Sequence, residues 1–198
     1  MTTEKTSNGY LDFKPQNEKL MRRVQGYHDL RLDGIGDLLH RARDATVLDI
    51  GCNRGLAGFE FAYNGARRVM GMDNYEDGIT AARHIFCDLR SVEHYFEVVD
   101  LTGGERAIRD KFGKLADYSN DIVLMLATYH KLRRIMNKGT LEALMQYFGN
   151  HTGKYFGWRG YEDEISELDR TFAPCGLVRI HTSMISDIQP AAIWARKK

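Results

Sequence analysis

Residues 47–55 read Val-Leu-Asp-Ile-Gly-Cys-Asn-Arg-Gly, an apolar run that enters a turn bounded by two glycines. Short β-branched runs that end at glycine are typical of buried strands. The following residues, 56–63, have a helical pattern and end at Asn64-Gly65, a frequent helix stop. The stretch therefore predicts a strand, a glycine turn and a helix, which in α/β proteins places a ligand at the carboxyl edge of the sheet.

Strand-like and helix-like runs alternate from residue 46 to about residue 173, which predicts a parallel sheet with helices on both faces. The last two strand candidates are joined by a connection too short for a crossover helix, so we expect them to pair antiparallel. The predicted fold class is α/β: a doubly wound, mostly parallel seven-stranded sheet with a C-terminal antiparallel hairpin strand. The predicted strands are 46–50, 68–72, 94–99, 121–126, 154–158, 177–184 and 191–195, and the predicted helices are 56–63, 75–86, 104–115, 140–148 and 162–172.

The length of 198 residues suggests one domain at 46–198 with an N-terminal extension at 1–45. The extension is predicted to form two helices, 16–24 and 32–40. It contains Tyr10, Phe13, Tyr27 and His28, and it either covers the site as a lid or packs against the edge of the sheet.

The composition excludes several classes of protein. With 28 basic and 27 acidic residues the net charge is +1, so broad polyelectrolyte binding is not expected. The three cysteines form no C-x-x-C pair, and the seven histidines form no H-x-x-x-H or H-E-x-x-H pattern, so we expect neither a disulfide framework nor a metal site. The polar start and the absence of a long apolar run predict a cytoplasmic protein that does not span a membrane.

The glycine turn differs from the dinucleotide fingerprint G-x-G-x-x-G. That pattern would need glycine at positions 53 and 56, where this chain has Asn53 and Leu56. Asp49, just before the turn, would also repel a pyrophosphate and suits a cationic ligand better.

With its acidic residue and glycine turn at Asp49, Gly51 and Gly55, the chain resembles the class I S-adenosylmethionine-dependent methyltransferases over about residues 46–196. Asn53 replaces the middle glycine of their motif. The resemblance implies that S-adenosylmethionine is the cofactor, that Asp73 binds the ribose, and that Asp100 lies at the adenine. Without it, Asp73 could be a helix cap and Asp100 a turn residue. The cofactor-binding residues that it implies are Asp49, Gly51, Cys52, Asn53, Gly55, Asp73, Asn74, Asp100, Leu101 and Leu126.

The same resemblance places the loop after the fourth strand, residues 127–130, near the methyl group. Tyr129 and His130 are therefore the candidate catalytic residues, with His130 as a general base, although a lone histidine often only packs locally. Trp158, Arg159 and Arg133 are the candidate substrate contacts, and Trp158 could instead belong to the core. Arg133 is part of a basic cluster with Lys131, Arg134 and Lys138, which is either a solvated helix face or a site for an anionic substrate.

These observations predict methyl transfer to an oxygen or nitrogen, with a small molecule favoured over RNA as the acceptor. The amino-methyltransferases of adenine and cytosine carry Asn/Asp-Pro-Pro-Tyr/Phe after the fourth strand, whereas this chain has Leu-Ala-Thr-Tyr at 126–129. Three alternatives stay open: an RNA methyltransferase, a non-catalytic module that binds an adenosyl cofactor, and a nicotinamide-dependent oxidoreductase.

Overall fold

The computed structural model describes residues 4–5, 11–12, 32, 34–183 and 189–197. Its strands are β1 (Glu4–Lys5), β2 (Leu11–Asp12), β3 (Thr46–Ile50), β4 (Arg68–Asp73), β5 (Glu93–Val98), β6 (Asn120–Leu126), β7 (Thr152–Arg159), β8 (Leu177–Ser183) and β9 (Ala191–Arg196). Its α-helices are α1 (Leu56–Tyr63), α2 (Glu76–Phe86), α3 (Gly104–Phe112), α4 (Tyr129–Ile135), α5 (Lys138–Asn150) and α6 (Glu162–Phe172). Short 3₁₀ helices cover Gly36–Arg41, Leu101–Gly103, Gly113–Asp117 and Ala173–Cys175.

Seven strands form one sheet in the order β5-β4-β3-β6-β7-β9-β8. The first five of these are parallel, and β9 pairs antiparallel with both β7 and β8. The predicted fold class is therefore confirmed, including the antiparallel C-terminal hairpin. β3 and β6 lie at the centre of the parallel strands, and their carboxyl ends meet at one edge of the sheet. The strand order changes direction between these two strands, and such a switch point opens a crevice at that edge.

The sheet is covered on both faces by apolar side chains. One cluster includes Val47, Phe59 and Phe86, and the other includes Ile50, Phe148 and Trp194. All five residues of β3 are buried, as expected for a strand that is covered on both faces. Among the described helices, none has the length and apolarity needed to cross a membrane.

Two predictions about local structure are wrong. Residues 129–130 begin helix α4 rather than lying in a loop, because Tyr129 and Leu132 are both buried and three positions apart on one helical face. Residues 36–41 form a 3₁₀ helix instead of the end of an α-helix at 32–40.

The end of the N-terminal extension packs on the sheet. Ile35 and Leu38 are buried, and Leu38 occupies the space over Gly157 of β7, where a Cβ would lie 2.7 Å from its Cδ1. The strands β1 and β2 pair antiparallel with each other. The predicted helix at 16–24 and the residues Tyr10, Phe13, Tyr27 and His28 lie outside the described residues, so the predicted lid stays a prediction.

Candidate active site

The glycine turn after β3 is built from three residues with positive φ. Gly51 has φ 74°, Asn53 has φ 49° and Gly55 has φ 72°. Asparagine tolerates this left-handed conformation better than most residues, which explains how Asn53 stands in place of a glycine. The N–H groups of Gly51 and Cys52 donate to the carbonyl of Met72, at 2.8 and 3.0 Å, so the turn is held against the end of β4.

Asp73 joins this turn to the start of α2. Its Oδ2 accepts the N–H of Asn53 at 2.8 Å, and its Oδ1 accepts the N–H of Tyr75 at 2.9 Å. The cap and the site interpretations of Asp73 are therefore compatible. Each carboxylate oxygen has a second lone pair, which leaves Asp73 able to accept a ligand hydroxyl as well.

Asp100 follows β5 and is also held in place. Its Oδ1 accepts the hydroxyl of Thr102 at 2.8 Å and the N–H of Thr102 at 3.0 Å. These two bonds, from the hydroxyl first and then from the backbone, lower the pKa of Asp100. The carboxylate is therefore charged at neutral pH and can accept a hydrogen bond from a ligand.

A cleft of about 440 Å³ lies along the carboxyl edge of the sheet, and we refer to it as the large cleft. A smaller cavity of about 180 Å³ adjoins it, and the two share Gly51, Asn53 and Leu126. Of the predicted cofactor-binding residues, Gly55 is the one that lines neither space. It instead packs against α2, where a Cβ would lie 2.9 Å from the Cβ of Ala82. The large cleft is lined by Gly51, Asn53, Asp73, Asn74, Tyr75, Val99, Asp100, Leu101, Thr102, Leu126, Thr128, Lys131, Leu132 and Ile135, and the small cavity by Asp49, Gly51, Cys52, Asn53, Ala57, Leu126, Ala127, Arg159 and Gln189.

The small cavity contains one acidic and one basic side chain. Asp49 is 2% exposed and Arg159 is 9% exposed. Burial, followed by the nearby Asp49 and Asp73, raises the pKa of the Cys52 thiol well above its ordinary value, so Cys52 is a neutral wall residue. The small cavity therefore offers one anionic and one cationic side chain, and the Cys52 thiol in its lining is uncharged.

Backbone strain and an unpaired polar atom also lie at this cavity. In the described part of the chain, three residues other than glycine have positive φ, and two of them, Asn53 and Ala127, line the small cavity. The Oδ1 of Asn53 is buried and accepts no hydrogen bond from the described residues. Strained backbone and unsatisfied polar groups are features that concentrate at binding sites.

The structure separates the two candidate catalytic residues. Tyr129 is 2% exposed and lines a different cavity, between α4, α5 and α6, together with Glu167. Burial and then the charge of Glu167 raise its pKa, so its hydroxyl is neutral and faces away from the large cleft. The structure therefore places Tyr129 outside the linings of the two spaces at the carboxyl edge, and its contact with an acceptor stays a prediction.

His130 lines neither space, although the next residue, Lys131, lines the large cleft. Its ring packs edge-on against the ring of Tyr161, with 4.9 Å between the centroids. Its Nδ1 is buried and has no hydrogen-bond partner among the described residues. Burial, helped by Lys131, Arg134 and Arg133, lowers the pKa of His130, so the imidazole is neutral at pH 7 and able to accept a proton.

The structure places the three candidate substrate contacts in different environments. Trp158 is fully buried and packs against Trp194, so the prediction that it stacks on a substrate is corrected to a core position. Arg133 pairs with Asp163 at 2.7 Å and with Glu167 at 3.6 Å, which ties α4 to α6. Arg159 does reach the site, but it lines the small cavity together with Asp49.

Sequence reasoning missed most of the far wall of the large cleft. Leu132 and Ile135 belong to α4, which the sequence pattern did not reveal, because the helix has few apolar positions among its cations. Lys131 of the predicted basic cluster lies on the same wall. Among the described residues, no group of three or more histidine, cysteine, aspartate or glutamate side chains is arranged to hold a metal ion.

Comparisons with known proteins agree at the level of fold. No protein-family model matches the chain, and no curated protein matches its sequence. Magnesium protoporphyrin IX methyltransferase from Synechocystis PCC 6803, solved with bound S-adenosylmethionine, is 15% identical, with a TM-score of 0.63 over 94% of this chain and 86% of that one. An amino pentose methyltransferase of calicheamicin biosynthesis from Micromonospora echinaspora, also solved with S-adenosylmethionine, is 14% identical, with a TM-score of 0.63 over 95% of this chain and 99% of that one.

A third solved structure has a macromolecular substrate in its name. The ribosomal protein L11 methylase from Lactobacillus delbrueckii subsp. bulgaricus is 14% identical, with a TM-score of 0.57 over 81% of this chain and 75% of that one. The strand order, the glycine turn with its acidic residues, and these matches lead to one conclusion. The chain has the Rossmann-like fold of the class I S-adenosylmethionine-dependent methyltransferases.

Proposed function

We propose that residues 46–198 bind S-adenosylmethionine and transfer its methyl group to an oxygen or nitrogen atom of a small molecule. The observation that carries the proposal is the convergence of Asp49, Asp73 and Asp100 on two connected spaces at the carboxyl edge of the sheet. These residues are distant in sequence, and the fold brings them together around a site that suits a cationic ligand.

The large cleft suits the adenosine part of the cofactor. Its volume of about 440 Å³ is within the range of ordinary small-molecule sites. Asp73 and Asp100 supply carboxylate oxygens for hydroxyl and amino groups, and Val99 and Leu101 supply apolar surface for a planar base. Two carboxylates in the cleft disfavour a pyrophosphate, which argues against a nicotinamide cofactor.

The small cavity suits the amino-acid end of the cofactor. A zwitterion needs an anionic and a cationic partner, and Asp49 and Arg159 offer one of each in the same cavity. The unpaired Oδ1 of Asn53 is a further acceptor for the ammonium group. We therefore assign Arg159 to the cofactor carboxylate rather than to the acceptor.

Methyl transfer from S-adenosylmethionine requires few catalytic groups from the protein. Bound S-adenosylmethionine supplies a methyl group on a positively charged sulfur, which needs no metal for activation. The residues of this chain then have two tasks: to orient the two reactants, and to remove the proton that an oxygen or nitrogen acceptor loses. The neutral imidazole of His130, in the first turn of the helix that follows β6, is the group that we assign to the second task.

The charges around the site favour a small acceptor over RNA. Arg133, from the basic cluster of the sequence, is engaged with Asp163 and Glu167. Lys138 lines a cavity that also contains Glu142 and Glu167. Because these acidic partners reduce the cluster's positive field, it is a poor surface for following a phosphate backbone.

A binding experiment tests the assignment of the two spaces. We compare S-adenosylmethionine with methylthioadenosine, which has the adenosine part without the amino-acid end, by calorimetry on the wild type, Arg159→Gln and Asp73→Ala. Loss of a charged hydrogen bond costs about 1.5–3 kcal/mol, which corresponds to a loss of affinity of about 10- to 100-fold. Arg159→Gln should lose this affinity for S-adenosylmethionine alone, whereas Asp73→Ala should lose affinity for both ligands. Equal losses for both ligands in Arg159→Gln would contradict the placement of the amino-acid end.

A transfer experiment tests the activity itself. The protein is incubated with S-adenosylmethionine labelled on its methyl group, together with a small-metabolite extract or with bulk RNA. Label in the small-metabolite fraction supports the proposal, and label in RNA identifies the alternative acceptor. Binding of the cofactor without label in either fraction would favour a non-catalytic adenosyl-binding module.

A further inference from the structure

The turn between β7 and α6 is tightly constrained. At Gly160 a Cβ would collide with the Oε2 of Glu164 and with the indole of Trp158, so the position has no room for a side chain. The N–H of Gly160 donates to the carbonyl of Pro190 at 3.1 Å. The backbone conformation of this turn is therefore closely restricted, and Tyr161 is the next residue in the chain.

Glu164 holds the backbone of Tyr161 from inside the protein. It is 0% exposed, and its Oε2 accepts the N–H of Tyr161 at 3.1 Å. In return, the carbonyl of Tyr161 accepts the N–H of Glu164 at 3.0 Å. These two bonds hold the backbone of Tyr161 in the first turn of α6 and fix where the Tyr161 side chain leaves the backbone.

The Tyr161 ring reaches from α6 to α4. It is 43% exposed, and its inner edge lies against the His130 imidazole, with 4.9 Å between the ring centroids and 67° between the planes. The ion pair of Arg133 with Asp163 holds the same two helices together one turn further along. The distance between His130 and Tyr161 is therefore set by two helices that are joined at more than one point.

We propose that Tyr161 is a positioning residue, whose ring packs against the His130 imidazole and keeps it desolvated and oriented for its proposed role as general base. The value of this contact for catalysis rests on the proposed function, but the contact itself does not. Tyr161 adds no charge to the site, so its action on His130 is through exclusion of water.

The charged groups around His130 support an effect of Tyr161 through exclusion of water rather than through charge. On α4 the cations are Lys131, Arg134 and Arg133, and they remain when Tyr161 is changed. On α6 the nearest acids are Asp163, which is paired with Arg133, and Glu164, which is buried behind the Tyr161 backbone. Burial is the largest cause of the lowered pKa of His130, so removal of the ring should raise that pKa towards its ordinary value of 6.5.

The test is a titration of His130 by nuclear magnetic resonance in the wild type, Tyr161→Phe and Tyr161→Ala. His130→Gln identifies the signal among the seven histidines. Tyr161→Phe keeps the ring and should titrate as the wild type does, whereas Tyr161→Ala should titrate at higher pH. An unchanged or lower pKa in Tyr161→Ala would overturn the proposal. Should Tyr161→Ala fail to fold, Tyr161→Leu removes the ring with less loss of packing and should shift His130 in the same direction.

Activity then separates this proposal from the proposed function. If His130 is the general base, the acid limb of kcat/KM should move to higher pH in Tyr161→Ala and stay in place in Tyr161→Phe. A shifted titration in a protein without methyl transfer would leave the contact standing and reject the proposed function. An unshifted titration in an active enzyme would reject the contact alone.

Discussion

The backbone of Gly51 adopts φ 74° directly beside Thr128, and a Cβ there would collide with the Thr128 side chain. Gly176 has a similar φ of 76°, but a Cβ there would make only an ordinary contact, 3.6 Å from Arg196. Gly176→Ala should therefore cost the conformational strain alone, about 1–2 kcal/mol. Gly51→Ala should cost more, and it should also weaken cofactor binding, because Gly51 lines both spaces of the site.

Urea unfolding and calorimetry on the two variants measure these effects. Gly176→Ala is the matched control, since it has the strain without the collision and lies outside the lining of both spaces. Equal binding of S-adenosylmethionine by Gly51→Ala and Gly176→Ala would show that the turn does not approach the ligand.

Single residues differed in how well the sequence predicted them. Asp49, Asp73 and Asp100 could be placed from their positions at or near the carboxyl ends of three successive strands, because parallel strands bring these ends to one edge. Tyr129 and His130 could not be distinguished, since neighbours on a helix point about 100° apart. That rotation directs Tyr129 into the helical layer and His130 towards Tyr161.

At the scale of elements, Asp121 joins the starts of three strands. Its Oδ2 accepts the N–H of Thr46 in β3 at 2.9 Å, and its Oδ1 pairs with Lys154 in β7 at 3.0 Å. Thr46 is 2% exposed, so Asp121→Ala would leave a buried N–H without its partner. We expect a loss of about 1–3 kcal/mol in the free energy of unfolding, measured in urea at pH 7.

The pH dependence of this loss is a second readout. Burial raises the pKa of Asp121, but the bonds from Thr46 and Lys154 outweigh it and lower the pKa overall. A lowered pKa stabilises the fold above the unfolded value of about 3.9, and this stabilisation is lost as pH falls through the folded pKa. The difference between wild type and Asp121→Ala should therefore shrink in acid. Asp110→Ala removes an exposed pair with Arg106 at 3.9 Å and should change stability little at either pH.

How well each element could be predicted depends on how much of it is buried. The central strands were predicted within a residue or two, because β3 and β6 are covered on both faces and read as apolar runs. Helix α4 was missed, since its two buried residues are Tyr129 and Leu132 and its remaining positions carry three cations and an exposed Ile135. A helix of seven residues needs tertiary contacts, such as the ion pairs of Arg133 with α6, and local sequence does not encode those contacts.

At the scale of the whole molecule, the net charge is +1, but acidic and basic side chains are unevenly distributed over the structure. Carboxylates gather at the carboxyl edge of the sheet, in Asp49, Asp73 and Asp100, which line the two spaces of the candidate site. Cations that looked free in the sequence are partly engaged by acids of α6. The seven-stranded order could be predicted from the alternation of elements, whereas this pairing of charges between helices could not.

Calorimetric titration of the wild type with S-adenosylmethionine and, in parallel, with NAD tests the central claim most directly. We expect binding of S-adenosylmethionine, weaker binding in Asp73→Ala by about 10- to 100-fold, and no response to NAD, because the carboxylates of the cleft repel a pyrophosphate. Binding of NAD with no response to S-adenosylmethionine would contradict it.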